Sequence, residues 1–149
     1  MIIQITDVAA VPDNELQELG EAFVREAKFP GGFKVDTFKR NWSMILGRQM
    51  GALWIIKDKQ TVGALGAILH PDINDDILVA QETFWFVAPE HRGGTAGIRL
   101  LNEFETWAAF RGAKRILVEH LWASMPAKVA KIFERRGYNG VATVHMKVL

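Results

Sequence analysis

The chain has 149 residues, a common size for one domain, and its 49% hydrophobic and 23% charged residues favour a globular protein over a disordered or membrane-embedded one. A net charge of +1 gives no general attraction to nucleic acid or to an anionic membrane, and the absence of cysteine excludes disulfides, thiolate metal sites and a cysteine nucleophile. We expect a single domain over residues 1–149, with cytoplasmic residence because no basic region and apolar run open the chain.

The first half of the chain predicts its helices and strands through the spacing of apolar residues. After Asp13, apolar residues recur at helical spacing as far as Ala27, with acidic residues near the start, where the helix dipole favours them. Proline and paired glycine between residues 29 and 33 interrupt the pattern, so a second helix begins near Val35. The expected elements are a strand over 2–5, a helix that reaches Ala27, a helix over about 35–47, and strands over 53–57 and 61–69.

The second half predicts a buried central strand followed by two strand–helix units. Residues 77–87 are apolar on both alternating faces, as in a strand covered on both sides, and Glu82 is the exception. The remaining elements are a helix ended by Gly112, a strand over 115–119, a helix from about Met125 to Gly137, and a final strand over 141–148. This order predicts an α+β fold with a mixed, mostly antiparallel sheet and helices on both faces.

A glycine-rich loop, His91–Gly97, joins the central strand to the next helix. Such a connection leaves several backbone N–H groups pointing to one spot at the positive end of the helix dipole, which suits an anion. The glycine spacing fits neither the P-loop nor the dinucleotide fingerprint, which disfavours ATP and NAD. The alternative is that these glycines only form a tight turn.

Two motifs resemble those of the GNAT N-acetyltransferase superfamily. The segment from Val87 to Leu101 is similar to the family's acetyl-CoA-binding motif, Val-x-Pro-x-x-Arg-Gly followed by Gly-x-Gly/Ala and an aliphatic helix start. Ala130–Tyr138 is similar to the second hallmark, a helix that ends in Tyr-Glu-Lys-x-Gly-Phe. The resemblance covers about residues 77–138 and implies a GNAT-like three-layer fold. The version in Phe84–Gly94 most resembles GNAT genes of tailed phages.

The resemblance implies a set of residues for the cosubstrate acetyl-CoA. Backbone amides in the loop would hold the pyrophosphate, the end of the central strand would pair with the pantetheine arm, and Ser124 would take the place of a cofactor-facing asparagine near the start of the last helix. An N-cap is the alternative for Ser124. The implied cofactor-binding residues are Phe86, Val87, Ala88, Arg92, Gly93, Gly94, Thr95, Ala96, Gly97 and Ser124.

The register of the acetyl-CoA motif has two alternatives. Starting the glycine spacing at Arg92 keeps this side chain beside the phosphates and Gly97 against the sheet, and we prefer it. It also places Thr95 where the family has glycine, and a β-branched residue tolerates positive φ poorly. Starting at His91 fits Gly94 and Ala96 instead.

The candidate catalytic residues are Glu82, His120 and Tyr138. A lysine-like amine has a pKa near 10.4, so presenting it neutral at pH 7 costs about 4 to 5 kcal/mol, and a base is needed. Glu82 is the first candidate because the family often has a glutamate on this strand; the alternative is an ion-paired or solvent-exposed carboxylate. His120, with Glu119, is the reserve acid/base, or else a turn residue. Tyr138, the only tyrosine, is the candidate acid, or else a packing residue, because Phe133 stands where the family has tyrosine.

The function that the resemblance implies is transfer of an acetyl group from acetyl-CoA directly to a small-molecule or protein amine. Neither a metal, since the four histidines are scattered, nor nucleic acid nor a membrane is expected as a partner. Many GNAT proteins pair through their C-terminal strands, which extends the expectation of a homodimer to this chain. The alternatives are a catalytically inactive GNAT-fold module that binds CoA or a protein, and an unrelated domain whose loop binds phosphate. Trp42, Trp85 and Trp122 are candidate walls of an acceptor pocket.

Overall fold

The computed structural model describes residues 1–149 and contains five strands and four α-helices. In chain order they are β1 (Ile2–Ile5), α1 (Asp13–Ala27), α2 (Val35–Gly47), β2 (Gly51–Asp58), β3 (Gln60–Pro71), β4 (Leu78–Val87), α3 (Ala96–Phe110), β5 (Arg115–Leu117) and α4 (Pro126–Arg135). No helix combines the length and the apolar character that crossing a membrane requires.

The strands form one sheet in the order β1-β2-β3-β4-β5. The first three pairings are antiparallel, and β4 pairs with β5 in parallel. The parallel pair is connected through α3, because parallel neighbours need a crossover and cannot be joined by a hairpin. The predicted mixed, mostly antiparallel sheet is therefore confirmed.

Helices cover both faces of the sheet, and each face has its own apolar core. On one face, which we call the α3 face, Leu100 and Phe104 of α3 are fully buried and Phe133 of α4 joins them. On the opposite face, the α1 face, Leu16 of α1 and Trp42 of α2 pack against β2 and β3. The predicted three layers, with helices on both faces, are confirmed.

A β-bulge interrupts β4 at Thr83. Gly66 of β3 lies opposite Phe84, and Ala67 lies opposite Glu82, so Thr83 has no partner in β3. The Thr83 hydroxyl donates to the Gly66 carbonyl at 3.0 Å. Because a bulge bends its strand and increases the local twist, β4 changes direction here.

Beyond the bulge, β4 and β5 separate. Their last pair is Gln81 with Leu117, and no backbone hydrogen bond joins residues 83–87 to the chain after Leu117. We call the resulting gap between residues 83–87 and the segment 118–125 the β4–β5 cleft.

The predicted final strand over 141–148 is wrong. This segment has no regular structure and is exposed throughout, with Val144, Met146 and Val148 at 71%, 63% and 68% exposure. Its alternation suits a strand, but a strand needs a neighbour, and within this chain the outer edge of β5 stays unpaired. The predicted strand over 115–119 is also shorter, because the Glu119 amide donates to the Glu82 carboxylate and not to the β4 backbone.

Candidate active site

The loop between β4 and α3 presents a row of unpaired backbone N–H groups. The amides of residues 93–98 make no hydrogen bond within the chain. In this loop only Gly93 adopts a positive φ, +96°, while Thr95 lies at φ −94° and ψ −2° directly before α3, where a β-branched residue is tolerated. The loop thus has the geometry of an anion-binding helix start, with Gly93, Gly94, Thr95, Ala96 and Gly97 all contributing amides.

The Arg92 side chain faces α1 and not the row of amides. Its Nη1 and Nη2 donate to the two oxygens of Glu26 at 2.9 and 2.7 Å, and its Nε donates to the Val87 carbonyl at 2.7 Å. The guanidinium lies 5.2 Å from the centroid of the Phe86 ring, and the Arg92 amide donates to the Pro89 carbonyl. Arg92 therefore ties the loop to β4 and α1, and its charge is already paired.

Gly97 lies against the sheet, as the preferred register predicts. A Cβ added there would lie 3.5 Å from Cζ2 of Trp85, 3.8 Å from its Nε1, and 3.7 Å from Cγ2 of Val87. Trp85 Nε1 is the only buried side-chain nitrogen or oxygen in the chain without a hydrogen-bond partner. Since buried polar groups in native proteins are normally paired, this free donor beside the loop is a feature that a bound ligand would satisfy.

The end of β4 directs alternate backbone groups toward the cleft. The Ala88 amide donates to the Val62 carbonyl of β3, and Phe86 lies opposite Ala64. By the alternation of an antiparallel ladder, Phe86 and Ala88 therefore turn their N–H and C=O groups toward β3, while Trp85 and Val87 turn theirs toward the cleft. Three residues were predicted to pair with the cofactor arm. Of these, only Val87 directs its backbone groups toward the cleft, whereas Phe86 and Ala88 pair with β3; Trp85, which was not predicted, also directs its backbone groups toward the cleft.

Glu82 is buried where β4 and β5 separate. Its side chain is only 7% exposed, and its Oε2 accepts the Glu119 N–H at 3.1 Å. Burial raises the pKa of Glu82 from 4.5 to about 7; the nearby Glu119 carboxylate adds to this rise and the Glu119 amide opposes it. No lysine or arginine pairs with Glu82, so the alternative of a structural ion pair does not apply. A carboxyl with this pKa can accept a proton near neutral pH.

Tyr138 lies close to this region, but its hydroxyl is engaged elsewhere. It donates to Oε1 of Glu105 on α3 at 2.9 Å, and Arg136 donates to the same carboxylate. Burial, followed by the Glu105 hydrogen bond, raises the pKa of Tyr138 well above its usual range. The ring packs on Phe133, with centroids 5.5 Å apart. These contacts fasten the chain after α4 to α3.

His120 and Ser124 lie on the segment between β5 and α4, at different distances from the site. His120 is exposed and makes no hydrogen bond within the chain. Ser124 is half-buried, and its hydroxyl donates to Oε2 of Glu26 at 2.6 Å, so it joins the Arg92 ion pair and does not cap α4. Hydrogen bonds from Arg92 and Ser124 hold the pKa of Glu26 below its ordinary value, against the opposing effect of burial.

The three tryptophans predicted to line an acceptor pocket lie in different environments. Trp42 is 5% exposed and belongs to the core on the α1 face, where it packs against Phe84. Trp122 is 78% exposed on the segment 118–125, one border of the β4–β5 cleft, and Trp85 lies on the other border, in β4. Sequence reasoning did not find the Glu26 partner of Arg92, because 66 residues separate the two and no local pattern connects them.

Comparison with known proteins identifies a family for this fold and site. The model of the acetyltransferase (GNAT) family matches residues 16–138, which includes the glycine loop, Glu82 and α4. Among curated proteins, none matches the chain.

Several solved structures share the fold over the whole chain. An aminoglycoside acetyltransferase, HMB0005, from an uncultured soil metagenomic sample superposes with a TM-score of 0.74 at 19% identity, covering 100% of this chain and 98% of its own. AAC(6')-Iy, in complex with the bisubstrate analogue CoA-S-monomethyl-acetylneamine, gives 0.72 at 18% identity, covering 100% and 97%. A ribosomal-protein-alanine N-acetyltransferase from Brucella melitensis biovar Abortus 2308 gives 0.69 at 15% identity, covering 100% and 99%. At these identities the likeness is one of fold.

Proposed function

Because this chain belongs to the acetyltransferase (GNAT) family, we propose that Glu82 is the general base with which it removes the proton from its amine acceptor. The chain is an acetyl-CoA-dependent acyltransferase that transfers acetyl to an amine. The observation that carries the proposal is the place of Glu82, a buried carboxyl without a cationic partner at the point where β4 and β5 separate. Burial holds its pKa near 7, so at neutral pH about half of the Glu82 carboxyl groups are deprotonated and able to accept a proton.

We propose that acetyl-CoA lies along the β4–β5 cleft, with its pyrophosphate on the amides of residues 93–98. Six successive unpaired N–H groups at the positive end of α3 fit a diphosphate. The outward backbone groups of Trp85 and the Val87 N–H fit the amides of the pantetheine arm, as an added strand would. In this arrangement Arg92 acts through the loop it holds, since its guanidinium is paired with Glu26.

The proposed reaction needs no covalent enzyme intermediate. The amine nitrogen attacks the thioester carbonyl, a C–N bond forms, the C–S bond breaks, and the proton lost by the nitrogen passes to Glu82, directly or through water. The leaving thiolate belongs to a thiol with a pKa near 8.5, taking cysteine as a proxy, so it departs without obligatory protonation. We therefore assign no acid to Tyr138, whose hydroxyl donates to Glu105, nor to the exposed His120.

The acceptor is proposed to be a small-molecule or protein amine. One structural neighbour is an aminoglycoside acetyltransferase, one is bound to a bisubstrate analogue with acetylneamine, and one is a ribosomal-protein-alanine N-acetyltransferase, which marks the range of amines to search. A panel of an aminoglycoside, a polyamine, a lysine peptide and a peptide with an N-terminal alanine should be assayed with acetyl-CoA by release of free thiol. At least one should give turnover above the rate of thioester hydrolysis, and CoA should raise the melting temperature by mass action.

Two controls separate the proposal from simpler explanations. Gly94 has open space around it, so Gly94→Asp adds a negative charge at the amides without a clash, and this variant should stay folded and lose the CoA shift. Inorganic phosphate should not replace CoA in the wild type. If CoA shifts the melting temperature but no amine on a broad panel is acetylated, the hypothesis of a catalytically inactive CoA-binding module replaces that of an active N-acetyltransferase.

We also propose that the chain forms a homodimer through its C-terminal segment. Residues 141–149 are exposed, Val144, Met146 and Val148 share one face of an extended chain, and the outer edge of β5 is unpaired. Pairing of this segment with β5 of a second copy would cover both. Light scattering should give about twice the 16.7 kDa of one chain, and Val144→Lys should give single chains while His145→Lys, on the opposite face, stays dimeric. A monomeric wild type at high concentration contradicts the proposal.

A further inference from the structure

The unpaired indole nitrogen of Trp85 requires an explanation that core packing does not supply. The other buried side-chain nitrogens and oxygens of the chain have hydrogen-bond partners, and Trp85 Nε1 does not. An unpaired buried donor forfeits its hydrogen bond with water and gains nothing in return. Phenylalanine would fill much of the same space without that cost. We therefore expect the indole N–H to donate to an acceptor on a ligand that binds reversibly.

The position of the indole nitrogen indicates which part of the cosubstrate would accept its hydrogen bond. Trp85 lies on β4 between Glu82, where the acetyl group would react, and the amides of residues 93–98, where the pyrophosphate would bind. Its Nε1 lies 3.8 Å from the point that a Cβ on Gly97 would occupy, so it faces the first turn of α3 from the sheet side. Between those two ends, acetyl-CoA carries its pantetheine arm, whose two amide carbonyls are hydrogen-bond acceptors.

Phe133 of α4 is the aromatic neighbour of the Trp85 indole. The Phe133 ring packs on the Trp85 indole with centroids 5.9 Å apart and planes 35° apart, and Nε1 is closed to solvent. A ligand oxygen therefore reaches Nε1 only when the packing around the indole opens.

We propose that the Trp85 indole N–H is a binding group for the pantetheine arm of the cosubstrate, donating to one of its amide carbonyls when the packing around the indole opens to admit the arm. The inference rests on the proposed function, because it requires CoA in the β4–β5 cleft. It adds a side-chain donor to a site otherwise built from backbone groups, and it assigns a purpose to a tryptophan whose ring alone would serve the core equally well.

The test is an indole ¹H–¹⁵N correlation spectrum of labelled protein. The chain has five tryptophans, so the spectrum has five indole N–H signals in a region of their own, and Trp85→Phe identifies one by its disappearance. Saturation with CoA should move the Trp85 signal downfield and by more than the other four. Adenosine 3′,5′-bisphosphate, which lacks the pantetheine arm, should leave the Trp85 signal close to its free position.

Calorimetry completes the test. Trp85→Phe should raise the Kd for CoA about 3- to 10-fold, the effect of one neutral hydrogen bond, and leave the Kd for adenosine 3′,5′-bisphosphate unchanged. The matched control is Trp107→Phe, which removes a buried indole from α3 where it packs on Trp54, and it should leave both Kd values unchanged.

The outcomes separate the two proposals. Wild type that binds CoA with no movement of the Trp85 signal, or a Trp85→Phe variant that binds CoA as tightly as wild type, overturns the role of Trp85 and leaves the proposed function standing. An equal signal movement with adenosine 3′,5′-bisphosphate overturns the assignment to the arm. Wild type that does not bind CoA at all overturns the proposed function itself.

Discussion

The Glu82→Gln substitution tests the proposed base through two independent measurements. Glutamine keeps the size of the side chain and an oxygen that can accept the Glu119 N–H, which lies 3.1 Å from Oε2 in the wild type. It removes the ability to take a proton and, with it, the negative charge of the deprotonated carboxylate. Loss of a positioned general base costs about 10²- to 10⁴-fold in rate, so kcat/KM should fall by that factor with the best acceptor.

The pH profile should identify the group. Because Glu82 must be deprotonated to act, kcat/KM of the wild type should rise with pH through an apparent pKa of about 7. That limb should be absent from Glu82→Gln, while the ionisation of a lysine-like acceptor, near pH 10.4, should remain in both proteins. A variant with wild-type kcat/KM, or with the limb near 7 intact, would refute the assignment.

The same substitution should change the pH dependence of stability. The folded chain holds the Glu82 proton up to about pH 7, whereas the unfolded chain releases it near pH 4.5. The contribution of the protonated Glu82 to the free energy of unfolding is therefore complete below pH 4.5 and is lost as the pH rises through 7. The difference corresponds to about 3 kcal/mol in the free energy of unfolding. Urea unfolding of wild type between pH 5 and pH 8 should show most of this loss, and Glu82→Gln should not. The control Glu119→Gln removes a nearby exposed carboxylate and should keep most of the slope, because burial and not the Glu119 charge is the main cause of the raised pKa of Glu82.

Three further substitutions test the parts that position the site. Gly93→Ala places a side chain at φ +96° and should destabilise the fold by about 1 to 2 kcal/mol in thermal melts, whereas Gly94→Ala, also in open space but without positive φ, should not. Gly66→Ala puts a Cβ 2.5 Å from Cζ2 of Trp42 opposite the bulge, and its urea midpoint should drop by the equivalent of about 1 to 3 kcal/mol or more. Arg92→Gln leaves Glu26 of α1 with the Ser124 hydroxyl as its remaining side-chain partner and should cost about 1 to 3 kcal/mol, with weaker CoA binding by calorimetry.

Local patterns determined most of the secondary structure, because each helix and paired strand here carries its own apolar periodicity. The second helix was expected over about 35–47 and is found at Val35–Gly47. The prediction of a strand over 141–148 failed because alternating apolar and polar residues show only that a strand could form. Whether it forms depends on a neighbouring strand elsewhere in the fold. β5 ends early for a related reason, since a side-chain carboxylate takes the Glu119 amide that strand pairing would have used.

In the candidate site, too, features set by local sequence could be predicted and features set by tertiary packing could not. Local sequence predicts free amides where the glycine loop starts a helix, but not the direction of the Arg92 side chain, and Glu82 stood out as the one acid on an apolar strand. The partners of the other site residues could not be predicted, because Glu26 binds Arg92 and Ser124 from 66 and 98 residues away, and Tyr138 reaches Glu105 across 33. Each of these pairs is set by tertiary packing, and no local spacing encodes it.

The bulge at Thr83 explains how one strand serves both faces of the sheet. In an unbroken strand, Glu82 would share a face with Phe84 and Phe86, whose rings pack in the core on the α1 face. The extra residue reverses the alternation, so Glu82 follows Ala80 on the α3 face and Trp85 continues on that same face. The proposed base and the unpaired indole thus come to lie along one side of the cleft, while the phenylalanines still fill the opposite core. Apolar character on both faces of β4 could indicate burial, but not this switch, because the switch is a property of the pairing with β3.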